Sequence, residues 1–89
     1  MTPSYRLFPD YGADPVWAER GMVDLDDLPI SSRLRTDLRT WAARWEQLMG
    51  QDFRIREKDS HNEWQRAGRR LARDLQRELG DDAVVTYEP

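Results

Sequence analysis

Apolar residues between positions 28 and 49 recur with the period of a helix. Leu34, Leu38, Trp41, Ala42, Trp45, Leu48 and Met49 stand at offsets of 0, 4, 7, 8, 11, 14 and 15, which gathers their side chains on one face. Trp45 falls within that stripe and is expected in the core. Ser31 or Ser32 is placed to cap the helix by accepting a backbone N–H, and Gly50 to end it. A second stripe runs through Trp64, Ala67, Gly68, Leu71, Ala72, Leu75 and Leu79. Ser60-His61-Asn62-Glu63 before it reads as a capping box, and Gly80 after it as the stop. Glycine costs a helix roughly 1 kcal/mol relative to alanine. Gly68 on the apolar face therefore predicts close approach by a tryptophan or by the other helix.

The two ends of the chain read as strands instead. Ser4 to Phe8 pairs Tyr5 with Leu7, or Arg6 with Phe8, on a face, and Pro9 limits it to a sheet edge or a strand end. Ala83 to Glu88 is rich in β-formers. Between the first strand and the first helix, Asp10 to Pro15 is a turn cluster in which Gly12 can take positive φ. Val16-Trp17-Ala18 reads as a brief extended piece, and Gln51 to Asp59, with Phe53 and Ile55, as an ordered crossover. The predicted architecture is α+β: two antiparallel amphipathic helices packed on a small sheet formed by the N- and C-terminal strands. Two short strands alone are marginal, so either the Trp17 to Leu25 region adds a strand or the sheet completes itself across a homodimer.

Composition narrows the function classes. At 89 residues the chain is expected to form a single domain, 1–89, with one core. Nine aromatics supply large apolar area, and the absence of cysteine excludes disulfides, thiol nucleophiles and Cys-ligated zinc. The N-terminal residues lack the pattern of a signal peptide and no segment has the length and apolarity of a membrane span, so a cytoplasmic address is expected. Charge is segregated: residues 1–30 hold six acids against Arg6 and Arg20, residues 31–79 hold twelve bases against eight acids, and the tail adds Asp81, Asp82 and Glu88. Flanking carboxylates lying against helical arginines account for this pattern as an ordinary mixed surface.

Tyr11-Gly12, Pro15-Val16-Trp17, Gly21 and Asp24-Leu25-Asp26-Asp27-Leu28-Pro29-Ile30-Ser31, continued by Leu34-Arg35, Leu38 and Trp41, form a pattern that resembles a group of short, uncharacterised bacterial proteins. The resemblance extends over roughly residues 11 to 80 through Ala67-Gly68, Leu71-Ala72 and Glu78-Leu79-Gly80. No activity is assigned to that group. The resemblance implies a compact domain and brings no site residues with it.

Candidate chemistry is sparse. The Asp24 to Ser31 segment places acids at alternate positions, yet the fifth, sixth and twelfth positions of a calcium loop would fall on Leu28, Pro29 and Arg35, so no metal is expected. The same acids suit the N-terminal end of a helix dipole. His61 is the only histidine and has no sequence neighbours that complete a triad. No catalytic residue and no cofactor are predicted. Arg66, Arg70, Arg73 and Arg77 recur at 0, 4, 7 and 11 with Arg69 beside them, a stripe able to track phosphates. Asp74 is expected to pair with Arg70 at i, i+4, and a sequence pI of about 5.1 argues against dedicated nucleic-acid binding.

The sequence thus reads as a small non-enzymatic protein-interaction module of the inhibitor or immunity type, whose partner is another protein. Asp24, Asp26 and Asp27, on a loop anchored by Leu25 and Leu28, are the candidate binding residues. The alternative is nucleic-acid binding through Arg66, Arg69, Arg70, Arg73 and Arg77.

Overall fold

The computed structural model describes residues 2–48 and 58–88, with backbone alone for 58–60. Four strands and two helices appear in the order β1 (Ser4–Leu7), β2 (Val16–Ala18), β3 (Gly21–Met22), α1 (Ser32–Leu48), α2 (Lys58–Leu79) and β4 (Val84–Tyr87). A 3-10 turn at Leu25–Asp27 precedes α1, and another at Gly80–Asp82 follows α2. The sheet has the order β3-β2-β1-β4. Its N-terminal strands form an antiparallel meander, while β4 joins β1 in parallel. The Trp17 to Leu25 region therefore supplies the missing strand pairing, within the chain itself.

Register decides which residues face the helices. Tyr5 pairs with Val85, and Leu7 with both Tyr87 and Val16. All five face inward, with Leu7 and Val16 fully buried. Arg6 pairs with Thr86 and Trp17, and Trp17 with Met22, so that row lies on the opposite face, as the two-residue period of a strand requires. There Phe8 and Trp17 stack with centroids 4.7 Å apart, the Trp17 indole N–H donates to the Phe8 carbonyl at 3.1 Å, and the Arg6 guanidinium sits 5.4 Å from the Phe8 ring.

The helices run antiparallel, with Ser31 beside Glu78 at one end and Trp41 beside Trp64 toward the other. Ser31 is the cap: its hydroxyl accepts from the Leu34 N–H at 3.1 Å and donates to a Glu78 carboxylate oxygen at 2.9 Å, while its backbone N–H donates to the other at 2.6 Å. A carboxylate bonded at the positive end of the α1 dipole thus comes from the far end of α2. Gly80 leaves α2 with φ +73°, the left-handed geometry a helix-ending glycine supplies. Ser60 lies within α2 and not ahead of it, since the helix already includes Lys58. The Ser60 side chain, Met49, Gly50 and residues 51–57 of the predicted crossover, with Phe53 and Ile55, lie outside the described residues, while its last two residues, Lys58 and Asp59, belong to α2 and not to a connection.

Where the two helices meet, the core holds a reciprocal tryptophan pair. Trp41 and Trp64 stack with centroids 4.4 Å apart and planes 3° from parallel. Each indole N–H donates to the other residue's backbone carbonyl, at 2.9 and 2.8 Å. Burying a side chain of 150–250 Å² at about 25 cal/mol per Å² gives an upper figure of about 4–6 kcal/mol for each ring, and the paired donors remove the desolvation cost that an unbonded indole N–H would carry. Gly68 makes this packing possible. A Cβ there would lie 2.6 Å from Trp41 Cζ2 and 2.7 Å from Tyr87 Cε1 and the Tyr87 hydroxyl oxygen, the close approach its position predicts. Trp45 is only half-buried: it meets the exposed Tyr11 ring at 4.7 Å on the rim of the core.

Candidate functional site

The acidic segment is built as a clamp. Asp24 caps the 3-10 turn by accepting from the Asp26 N–H at 2.9 Å, and the buried Leu25 pins that turn to the core. The Leu25 N–H donates to Asp14 Oδ2 at 3.1 Å. From α1, Arg39 grips Asp14 with Nε and Nη2, both at 3.3 Å, and also reaches Asp26 at 3.3 Å and Asp24 at 3.5 Å. Arg35 pairs with Asp26 at 3.3 Å and donates to the Leu25 and Ile30 carbonyls, each at 3.2 Å. Partial burial works to raise the Asp14 pKa, but the Arg39 hydrogen bonds, the Leu25 N–H and the Arg39 charge together hold it below the ordinary carboxylate value. The hydrogen bonds from Arg39 to Asp14 and Asp26, ahead of the opposing effect of burial, raise the Arg39 pKa further above its own.

This arrangement ties the β3–α1 connection to α1. Of the three predicted binding residues, Asp24 and Asp26 are engaged by α1 guanidiniums, whereas Asp27 is exposed and makes no ion pair among the described residues. The fork of Arg39 occupies the space between Asp14, Asp24 and Asp26, and among the described residues no group of three His, Asp or Glu side chains is placed to hold a metal ion. Asp14, Arg35 and Arg39 were not singled out by sequence reasoning. The signal available was the i, i+4 spacing of the two arginines, which puts both on one face of α1 beside a segment rich in acids.

The second charged surface is the outer face of α2. Arg66, Arg69, Arg70, Arg73 and Arg77 are all exposed. Asp74 pairs with Arg77 rather than with Arg70. Helical side chains lean toward the helix N-terminus, so Arg77 reaches back over Asp74 while Arg70 leans away from it. Arg69 and Arg73 border a groove of about 400 Å³ between α2 and β4, lined also by Ala72, Gln76, Val85 and Tyr87. Gln76 closes the edge of β4 beside it: its amide nitrogen donates to the Gly80 and Ala83 carbonyls at 3.0 and 2.8 Å, and its oxygen accepts from the Val85 N–H at 2.8 Å. Burial raises the Tyr87 pKa, partly opposed by the charge of Arg69. On the other side of α2, Arg33, Arg70 and Arg77 line a larger cleft, of about 520 Å³, with Asp37, Asp74 and Glu78.

His61 stacks on Trp64 at 5.8 Å and shares a 3.2 Å hydrogen bond with the Gln65 amide, a packing role. No helix among the described residues is long and apolar enough to cross a membrane.

Comparison with curated proteins gives no match. A family model, described as Serratia CdiI immunity protein-like, matches residues 3–89, a span that takes in all four strands, both helices, the acidic clamp and the arginine stripe. A match over nearly the whole chain shows the family, and this small α+β protein belongs to the Serratia CdiI immunity protein-like family.

Proposed function

We propose that this chain is a non-enzymatic immunity protein, acting in the cytoplasm of the cell that makes it, which neutralises a protein toxin by binding it. The family match over residues 3–89 carries this reading. The geometry is in keeping with it. The polar groups with close partners serve the fold: Gln76 fastens β4 to α2, Glu78 fastens α2 to α1, and Asp14 fastens the acidic turn to Arg39. What the molecule presents outward is charge on ordered elements, which suits recognition of a protein surface. The test is genetic. Deleting the gene from its host is expected to halt growth in co-culture with the undeleted parent, and supplying the chain from a plasmid is expected to restore it. Equal growth of the deletion strain alone and in co-culture would refute the proposal.

A further inference from the structure

Most carboxylates beside the helices have partners within the chain, and most α2 guanidiniums do not. Asp14, Asp24 and Asp26 share Arg35 and Arg39. Glu46 accepts from the Gly12 N–H, Glu78 from Ser31, and Asp74 from Arg77. Arg66, Arg69, Arg70 and Arg73 are exposed and make no ion pair among the described residues. Their offsets of 0, 3, 4 and 7 spread them over about 10 Å of the outer surface of α2, with Arg69 and Arg73 toward β4 and Arg70 toward the cleft that holds Asp37 and Asp74.

The groove beside them adds a second kind of complementarity. Ala72, Val85 and Tyr87 line it with apolar surface, while Arg69 and Arg73 stand at its border. Gln76 already occupies the Ala83 carbonyl and the Val85 N–H, so this part of the β4 edge is closed to strand addition and the groove can read only side chains. We propose that this face is where the toxin docks, through an acidic segment with an apolar side chain flanked by carboxylates. The apolar group enters the groove, and the carboxylates meet Arg69 and Arg73, with Arg66 one turn before them on the helix. This assignment rests on the reading of the chain as an immunity protein.

The boundaries of the patch favour a protein segment over a nucleic acid. Exposed Glu63 lies before it on α2, and Glu78, Asp81 and Asp82 lie after it. A run of two or three carboxylates ends before reaching those acids, whereas a continuing phosphate backbone would meet them. The chain as a whole carries a formal net charge of −3, which also opposes a polyanion.

Two measurements test the assignment. In the first, the ¹⁵N-labelled chain is titrated with an acetylated peptide of about ten alternating Glu and Leu residues, with its Gln-for-Glu counterpart, and with duplex DNA of about 20 base pairs. Shifts confined to α2 and β4 are expected with the Glu peptide, with about tenfold weaker binding for the Gln peptide and for the Arg69→Gln, Arg73→Gln variant. Shifts centred elsewhere, equal binding of both peptides, or tighter binding of DNA at about 150 mM salt overturn it. The second is the co-culture assay, using the Arg66, Arg69, Arg70 and Arg73 to Gln variant after circular dichroism has shown it folded. Loss of protection supports the assignment. Full protection by that variant, with protection lost instead in an Asp24, Asp26, Asp27 to Asn variant, overturns it. If the unaltered chain fails to protect, the immunity reading falls, and the titration still decides whether the face takes acidic segments.

Discussion

Gly68→Ala sets two effects of opposite sign against each other. Replacing a helical glycine by alanine ordinarily stabilises by about 1 kcal/mol, because the unfolded chain loses conformational freedom. Here the added methyl would stand 2.6 Å from Trp41 Cζ2 and 2.7 Å from two atoms of Tyr87, all well inside van der Waals contact. Trp41 has little room to yield, since its ring is stacked on Trp64 at 4.4 Å and its N–H is bonded at 2.9 Å. Moving it gives up part of both interactions, and turning the Tyr87 ring aside gives up its tilted packing against Trp41, 6.1 Å away between centroids. Overpacking of this kind costs about 1–3 kcal/mol, occasionally more, and two aromatic rings at once argue for the upper end. The expected balance is a net loss of about 1–2 kcal/mol, or a fall in Tm of roughly 5–15 °C for a domain of this size. Urea denaturation followed by tryptophan fluorescence measures it directly, because the reporter rings are the ones disturbed. A midpoint equal to or above that of the unaltered chain would refute the reasoning.

Trp41→Ala is expected to cost about 3–5 kcal/mol and Trp45→Ala only about 1–2 kcal/mol, reversing the weight the helical stripe alone gives Trp45; equal denaturation midpoints would refute the packing described. Gln76→Ala removes three bonds between α2 and the start of β4 and is expected to cost about 1–3 kcal/mol, with faster amide exchange at Val85; unchanged protection there would show that the amide does not hold the strand. Because the folded-state pKa of Asp14 lies below its unfolded value, its contribution is present above the unfolded pKa and is lost as pH falls through the folded one. Asp14→Asn is therefore expected to be less stable than the unaltered chain near neutrality and to converge with it between about pH 5 and pH 2, which thermal melts across that range would check; a constant difference would refute the linkage.

The chain determined by itself whatever depends on neighbours a few residues apart. The 3.6-residue recurrence of Leu34, Leu38 and Trp41, and of Trp64, Leu71 and Leu75, set both helices and their buried faces. Ser31 and Gly80 marked two of the boundaries, alternation marked β1, and a run of β-forming residues marked β4. The α+β architecture, with helices on a sheet made from the chain ends, follows from those local signals. Even the Gly68 notch was legible, because a poor helix former on an apolar face needs a packing reason. The candidate charged residues were equally legible as residues, but their pairing was not.

Tertiary structure decided everything that joins distant segments. β4 lies parallel to β1 and the Val16 to Met22 region completes the sheet, outcomes that strand propensity leaves open because pairing direction is set by how the helices bring the chain ends together. Trp41 and Trp64 pair inside the core while Trp45 stands at its rim, since the depth of each turn depends on what packs opposite it and not on the stripe alone. Asp24 and Asp26 meet Arg39, whose main partner Asp14 lies 25 residues away in sequence, and Glu78 meets Ser31 across 47. A charge run in sequence shows where charge is present. Only the fold decides which of those charges are matched internally and which are left facing outward, because electrostatic pairing acts over a few ångströms of space whatever the separation along the chain.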